Sequence, residues 1–161
     1  MKELIKVGMA DLNTTKYPGV LTTLGLGSCV GIALYDRVAK IGGLAHIMLP
    51  SSTQIKNNTN VAKFADTAIE ELIKQMEICG ASKRNIVAKL AGGSQMFSFA
   101  RASDIMRIGE RNAQASKEVL KIMSIPIIAQ DTGGSHGRTI ELYTEDGMLL
   151  VKTIGHGSKY I

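Results

Sequence analysis

The amino-acid sequence predicts an α/β fold: a single domain with a mixed, largely antiparallel sheet and two main helices. Short β-branched and apolar runs alternate with turns rich in glycine and proline, a pattern typical of strands. Two longer segments instead repeat apolar residues at helical spacing. The 161 residues are 45% hydrophobic and 20% charged, which is typical of a folded protein. The length favours one domain, which we expect to span residues 1–161.

The first half of the chain is predicted to consist mainly of strands. Pro18 and Gly19 mark a break, and residues 13–16 before it read as a polar turn. The last two apolar runs of this half are joined by a short polar link, so they predict a hairpin within the sheet. The predicted strands lie at residues 5–10, 20–24, 30–35 and 41–49.

Both helices are predicted in the second half. Apolar side chains recur three and four residues apart over residues 62–79, with Gly80 as a fitting stop, and again over residues 109–123. Residues 50–60 are rich in Ser, Thr and Asn and predict a mobile loop. The remaining predicted strands lie at residues 86–90, 127–129, 139–143 and 148–154.

Charge and hydropathy exclude several classes of function. The formal charge is +5, but Lys and Arg are scattered and never interleave with aromatic residues, so we expect no nucleic-acid partner. Glu3, Lys6 and Asp11 interrupt the N-terminal segment, which therefore has no signal-peptide core. No apolar run approaches the length of a membrane span. We expect a cytoplasmic protein without membrane insertion.

The cysteines and histidines do not predict a metal site. Cys29 and Cys79 lie 50 positions apart, and the chain has no C-x-x-C or H-x-x-x-H spacing. Cys79, at the end of a helix, is interpreted as a core residue. His136 and His156 lie in glycine-rich turns and are interpreted as surface or substrate-loop residues without assigned chemistry. We therefore expect neither a metal nor a cofactor.

A glycine-rich turn precedes Cys29. Gly25 and Gly27 begin like a dinucleotide-binding fingerprint, but Val30 occupies the third glycine position and the turn leads into a strand. Such a turn can instead present a nucleophile, because its free main-chain N–H groups, at Gly27 and Ser28, can hold an oxyanion. The competing interpretation is a structural cysteine at the start of a core strand.

His46 is the candidate base for Cys29. It lies in an apolar run next in sequence to the strand that begins at Cys29, so pairing of the two strands brings them together. An imidazole can take the proton of a thiol, which otherwise stays mostly protonated at neutral pH. Thr23 is the candidate third residue, since Thr22 faces the opposite side of an extended strand. The alternatives are a hydrogen-bonded core histidine and a threonine present for its strand propensity.

Several sequence blocks resemble the CheD family of chemoreceptor glutamine deamidases of bacterial and archaeal chemotaxis. They span nearly the whole chain in order, and their joint specificity is high. One departure is Phe64, where the family pattern leads us to expect Tyr. The blocks are Thr23-Leu24-Gly25-Leu26-Gly27-Ser28-Cys29-Val30, Gly43-Leu44-Ala45-His46-Ile47-Met48-Leu49-Pro50, Phe64-Ala65-Asp66-Thr67-Ala68, Ala91-Gly92-Gly93 with Met96-Phe97, Ile108-Gly109, Arg111-Asn112, Asp131-Thr132-Gly133-Gly134 and Gly137-Arg138.

The resemblance implies a catalytic set of Cys29, His46 and Thr23, and a sandwich-like α/β fold similar to that of toxin glutamine deamidases. It implies conversion of specific glutamines on the cytoplasmic helices of methyl-accepting chemotaxis receptors to glutamate, with release of ammonia, through a cysteine thioester. It also implies a CheC-type phosphatase as partner. Two alternatives stay open: a regulatory module that only binds receptors and the phosphatase, and a glutamyl methylesterase or amidase that uses the same thiol.

Overall fold

The computed structural model describes residues 2–96 and 107–161; Phe97 of the resemblance blocks lies outside them. The described ranges contain two α-helices and ten strands. In chain order these are β1 Leu4–Lys6, β2 Asp11–Lys16, β3 Val20–Leu26, β4 Val30–Asp36, β5 Ile41–Ile47, α1 Ala65–Ile78, β6 Ile86–Gly92, α2 Ile108–Ile122, β7 Ile127–Thr132, β8 Arg138–Tyr143, β9 Leu149–Thr153 and β10 Gly157–Tyr160.

The strands form two sheets of five. The first sheet has the order β1-β3-β8-β9-β10 and the second has the order β2-β5-β4-β6-β7. Each sheet has one parallel pair, β1 with β3 and β6 with β7, and is otherwise antiparallel. The predicted class, a mixed α/β fold with two main helices, is confirmed. The prediction of one sheet was wrong, because the periodicity of a strand shows which faces are buried and not which strands pair.

The second sheet forms the middle layer of three. On one face, side chains such as Val30 and Ile32 pack against α1 and α2. On the other face, Ala33 and Leu44 pack against the first sheet. The two sheets approach closely at Gly31, where an added Cβ would collide with the Cδ1 of Ile140. A residue with a side chain at this position would therefore require the side chain of Ile140 to shift.

Helix α1 begins three residues later than predicted. Residues Val61–Lys63 form a short 3-10 helix, and Phe64 is extended before the α-helix starts. Asp66 in the first turn accepts hydrogen bonds from the backbone N–H and the hydroxyl of Ser52. This contact ties the predicted loop at residues 50–60 to the helix. Gly80, with φ of 111°, ends the helix as predicted.

Two strands were missed in the sequence. Residues 13–16 were predicted as a polar turn but belong to β2, an edge strand that pairs with β5. Its side chains are mostly half-buried or exposed, so it lacks the apolar alternation that marks a strand packed on a core. The last strand, β10, is exposed along its whole length and is an edge strand too. Within residues 2–96 and 107–161, no helix is both long and apolar enough to cross a membrane.

Candidate active site

Thr23 and His46 meet in the space between the two sheets. The hydroxyl of Thr23 lies 2.7 Å from His46 Nδ1 and donates to the backbone carbonyl of Val7, also at 2.7 Å. Because the single hydroxyl proton is used on Val7, the oxygen of Thr23 must accept from Nδ1–H of a neutral or charged imidazole. The hydroxyl therefore selects the tautomer of His46 that leaves Nε2 unprotonated.

His46 is buried on the face of the second sheet that packs against the first sheet. It pairs with Gly31 across β4 and β5, and it is only 1% exposed. Its Nε2 atom has no hydrogen-bond partner among the described residues. Burial lowers the pKa of His46 below its ordinary value, so the ring is neutral at neutral pH. A neutral ring with a free Nε2 can accept a proton.

Cys29 lies two residues before Gly31, at the entrance to β4. Its side chain belongs to the same inter-sheet cluster as Leu44 and is 7% exposed. Cys29 lies one residue before β4, which begins at Val30, and Val30 pairs with Ile47, the residue that follows His46. No hydrogen bond joins the sulfur to Nε2 in the described structure. Burial raises the pKa of the thiol, and the nearby backbone N–H of Cys29 partly offsets this rise.

A bulge in β3 carries the chain from one sheet to the other. Thr23 pairs with Ile140 and Leu26 with Arg138, so β3 has one more residue than β8 over this stretch. Gly25 lies within the bulge with φ of 70°, a left-handed conformation that favours glycine. The strand thus ends by turning toward the second sheet, and the turn that follows leads through Cys29 into β4.

The turn that carries Cys29 is held by the segment after β6. Gly93 N–H donates to the carbonyl of Cys29 at 2.9 Å, and Ser94 N–H donates to the carbonyl of Gly27 at 2.8 Å. Gly92 approaches so closely that an added Cβ would collide with the carbonyl of Cys29. The segment after β6 therefore holds the backbone of Cys29, the candidate nucleophile, by hydrogen bonds and by close packing.

Arg138 buttresses this segment. The residue is only 6% exposed. Its guanidinium donates to the carbonyls of Gly92 and Gly133 and to the hydroxyl of Ser94. It also lies 3.5 Å from a carboxylate oxygen of Asp131. The sequence placed Arg138 only in a glycine-rich turn of the resemblance blocks. A buried arginine is identifiable from sequence only when its carbonyl partners are known, and these come from distant strands.

The other predicted positions are placed as follows. Thr22 faces away from His46 and donates to the carbonyl of Ile140, as the alternation of a strand requires. Gly27 N–H donates to the carbonyl of Gly25, whereas Ser28 N–H has no acceptor in residues 2–96 and 107–161. Cys79 is half-buried, packs against the helical core and contacts the hydroxyl of Thr14.

The two remaining histidines pair on the surface. The Nε2 atoms of His136 and His156 lie 2.8 Å apart, and both residues are exposed. In the part of the chain that the structure describes, no group of three or more His, Cys, Asp or Glu residues could hold a metal ion. The pair belongs to the turns before β8 and before β10, away from the contacts of Cys29 and His46.

The fold defines a class of protein: an α/β sandwich in which an imidazole and a hydroxyl meet between two sheets, with a buried thiol one residue before the strand that pairs with the histidine strand. Comparison with known proteins gives the family. A family model described as CheD chemotactic sensory transduction matches residues 48–153.

Relatives extend the match to the whole chain, including the segment with Cys29. A protein of Caldanaerobacter subterraneus subsp. tengcongensis, named "Probable chemoreceptor glutamine deamidase CheD", is 64% identical over 159 residues, covering 99% of this chain and 98% of that protein. One of the same name from Lachnoclostridium phytofermentans is 56% identical over 161 residues, and "Chemoreceptor glutamine deamidase CheD" of Halalkalibacterium halodurans is 52% identical over 162 residues. Both matches cover 100% of each chain. The chain belongs to the CheD family.

Proposed function

We propose that this protein is a protein-glutamine deamidase that converts glutamine side chains of chemotaxis receptors to glutamate and releases ammonia. The names of the relatives support the reaction and the substrate class. The observation that carries the chemistry is the hydrogen bond that His46 Nδ1–H donates to the hydroxyl of Thr23, which leaves the buried Nε2 without a partner among the described residues and free to act on Cys29. Such a set can activate a thiol without any cofactor.

In the first half-reaction, Cys29 attacks the carboxamide carbon of the substrate glutamine. His46 Nε2 takes the proton of the thiol as the C–S bond forms. Because burial raises the pKa of Cys29 and lowers that of His46, the resting pair is a neutral thiol and a neutral imidazole. The proton therefore moves during attack. When the tetrahedral intermediate collapses, the C–N bond breaks and His46 returns the proton to the departing ammonia.

The charge on the carboxamide oxygen needs donors during attack. Gly27 N–H is already used on Gly25, so the backbone N–H of Ser28, which has no acceptor in the described residues, is the better donor of the two predicted positions. The N–H of Cys29 lies close to its own sulfur and is the natural second donor. We therefore propose Ser28 and Cys29, rather than Gly27, as the oxyanion hole.

In the second half-reaction, water hydrolyses the thioester. His46 Nε2 removes a proton from the water as its oxygen attacks the thioester carbon, and the C–S bond then breaks. The proton returns to the sulfur of Cys29, and the product is a glutamate side chain. Over the two steps, one amide and one water give one carboxylic acid and one ammonia, so the enzyme is unchanged.

An apolar rim beside the site suits a protein substrate. We define this rim as Met9, Leu24 and Met96, which are 60%, 54% and 45% exposed. Leu24 follows Thr23 directly, and Met96 contacts the position of Gly27. Flexible methionine side chains adapt to varied surfaces. We propose that this rim receives the receptor helix, and that a CheC-type phosphatase, which the family resemblance implies as partner, binds the same protein.

The test is deamidation of a receptor cytoplasmic fragment that carries glutamine. Ammonia release and mass spectrometry of the fragment would be followed for the wild type, for Cys29→Ala and for Cys79→Ala, a matched control that removes the other thiol. We expect activity from the wild type and the control and none from Cys29→Ala.

Other outcomes assign the alternatives. Binding of the fragment without ammonia from any variant would contradict the proposal and indicate a regulatory module. Methanol release from a methylated fragment, again without ammonia, would indicate a methylesterase.

A further inference from the structure

One polar side chain bridges the turn that carries Cys29 and the strand that carries His46. The side-chain amide of Asn112, on α2, donates to the carbonyl of Ser28 at 3.0 Å and to the carbonyl of Met48 at 2.9 Å. Ser28 immediately precedes Cys29, and Met48 lies two residues after His46. Both protons of one NH2 group are thus used to connect the two chain segments of the candidate site.

Asn112 occupies a position where packing alone favours an apolar residue. It is fully buried on the stripe of α2 that includes Ala113 and Leu120. Its Oδ1 atom has no hydrogen-bond partner among the described residues. A buried amide with an unpaired oxygen costs stability, and an apolar residue would avoid that cost. Asn112 therefore connects Ser28 and Met48 by hydrogen bonds, although an apolar residue at this position would stabilise the core more.

The helix that carries Asn112 is seated against the same turn by glycines. An added Cβ at Gly93 would lie 2.8 Å from the carbonyl oxygen of Gly109, and an added Cβ at Gly109 would collide with the carbonyl of Ser94. This close approach brings the N-terminal turn of α2 to the segment that holds Cys29. One turn later, the hydroxyl of Ser116 donates to the carbonyl of Asn112 at 2.7 Å. Among the described residues, the hydroxyl of Ser116 hydrogen-bonds to Asn112 and not to Ser28 or Met48.

We propose that Asn112 is a positioning residue, which sets the separation of Cys29 from His46 by bridging the carbonyls of Ser28 and Met48. The part of this proposal that concerns turnover rests on the proposed deamidase function. The two residues are not hydrogen-bonded in the resting structure, so productive proton transfer needs the sulfur to come within reach of Nε2. Without the bridge, the pairing of Val30 with Ile47 still joins the two strands, but no side chain fixes the distance between the carbonyls of Ser28 and Met48.

The proposal predicts a defect in proton transfer with little effect on substrate binding. A displacement of about 1 Å between reacting groups can reduce rates by about 10²-fold. We expect Asn112→Ala to lower kcat by about that factor, with KM nearly unchanged because Asn112 is buried and does not face the substrate. Ser116→Ala, which removes a buried hydrogen bond from the same helix, is the matched control and should keep kcat within a few-fold of the wild type.

Alkylation of Cys29 tests the geometry without any substrate. The rate of modification by iodoacetamide is measured against pH, with peptide mapping to separate Cys29 from Cys79. In the wild type and in Ser116→Ala, neutral His46 assists the thiol, so the rate should rise as pH increases through the pKa of His46. In Asn112→Ala this step should disappear, and only the rise from ionisation of the thiol at higher pH should remain.

A second variant keeps the inference testable if Asn112→Ala folds poorly. Asn112→Asp has nearly the same volume but directs carboxylate oxygens at two carbonyls. It should show the same loss near neutral pH and partial recovery at lower pH, where a protonated carboxyl donates one hydrogen bond.

Retention of the His46-dependent step in either folded variant would overturn the proposal. So would the unfolding of both variants, because that would show a structural role only. Absence of deamidation by the wild type would instead contradict the proposed function and leave the alkylation result intact.

Discussion

Replacing Thr23 by valine should separate the orienting role of its hydroxyl from its place in the strand. Thr23→Val keeps the shape of the side chain but removes both the donor to Val7 and the acceptor for His46 Nδ1–H. The imidazole becomes charged when it takes the thiol proton, and hydrogen bonds to charged groups contribute about 1.5–3 kcal/mol. At 1.36 kcal/mol per tenfold, the expected loss in kcat is about 10- to 160-fold.

The same substitution has a cost in stability. It leaves the carbonyl of Val7 and Nδ1–H of His46 buried without partners, which costs about 1–3 kcal/mol for each group. Urea unfolding measures this loss separately from kcat. Thr23→Ser retains the hydroxyl and is the matched control, with activity expected close to the wild type. Nitrogen NMR shifts of the His46 ring should show one tautomer in the wild type and a mixture in Thr23→Val.

The relative losses of kcat in the variants test whether the hydroxyl of Thr23 acts by orienting His46. Removing a general base costs about 10²–10⁴-fold, so His46→Ala should be more damaging than Thr23→Val. Wild-type kcat in Thr23→Val would refute the role in tautomer selection. A loss in Thr23→Ser as large as that in Thr23→Val would refute it too, because the hydroxyl would then not be the group that matters.

Three further predictions follow from the site and its packing. Cys29→Ala should abolish deamidation with little change in urea midpoint, and residual ammonia release would exclude Cys29 as nucleophile. Because burial lowers the pKa of His46, kcat/KM should fall only below its ordinary pKa of about 6.5. The unfolded chain takes up that proton first, so stability should be lost as pH falls from about 6.5 toward the lowered pKa, and His46→Gln should flatten this dependence in urea unfolding. Gly31→Ala should destabilise the fold by about 1–3 kcal/mol through collision with Ile140; an unchanged unfolding midpoint would show that the sheets can separate there.

The features of the candidate site that depend on neighbouring residues along the chain could be predicted from sequence. A glycine-rich turn before Cys29 and a histidine in the next apolar run identified two residues, and the hairpin that joins them exists with Gly31 paired to His46. Thr23 was separated from Thr22 by strand alternation alone, and their side chains do point to different partners. The strand pairing and the alternation of Thr22 and Thr23 are confirmed because they concern residues that are close along the chain, whereas the catalytic roles stay predictions.

Asn112 shows where sequence reasoning stopped. The sequence placed it in a resemblance block and gave it no role, although one signal was available: together with Ser116, it interrupts the apolar stripe of α2 with polar residues. The role depends on the carbonyls of Ser28 and Met48, which lie 84 and 64 positions away along the chain. No local pattern indicates such partners.

The sequence by itself determined the class of fold, the two helices, the central hairpin and the family resemblance. Only the tertiary structure decided that the strands form two sheets, that Thr23 from one sheet meets His46 from the other, and that the resting pair is neutral. The physical reason is that side-chain periodicity records burial along one element. Hydrogen bonds between elements and the desolvation that shifts a pKa depend on which surfaces come together, and the bulge in β3 and the close approach at Gly31 decide that here.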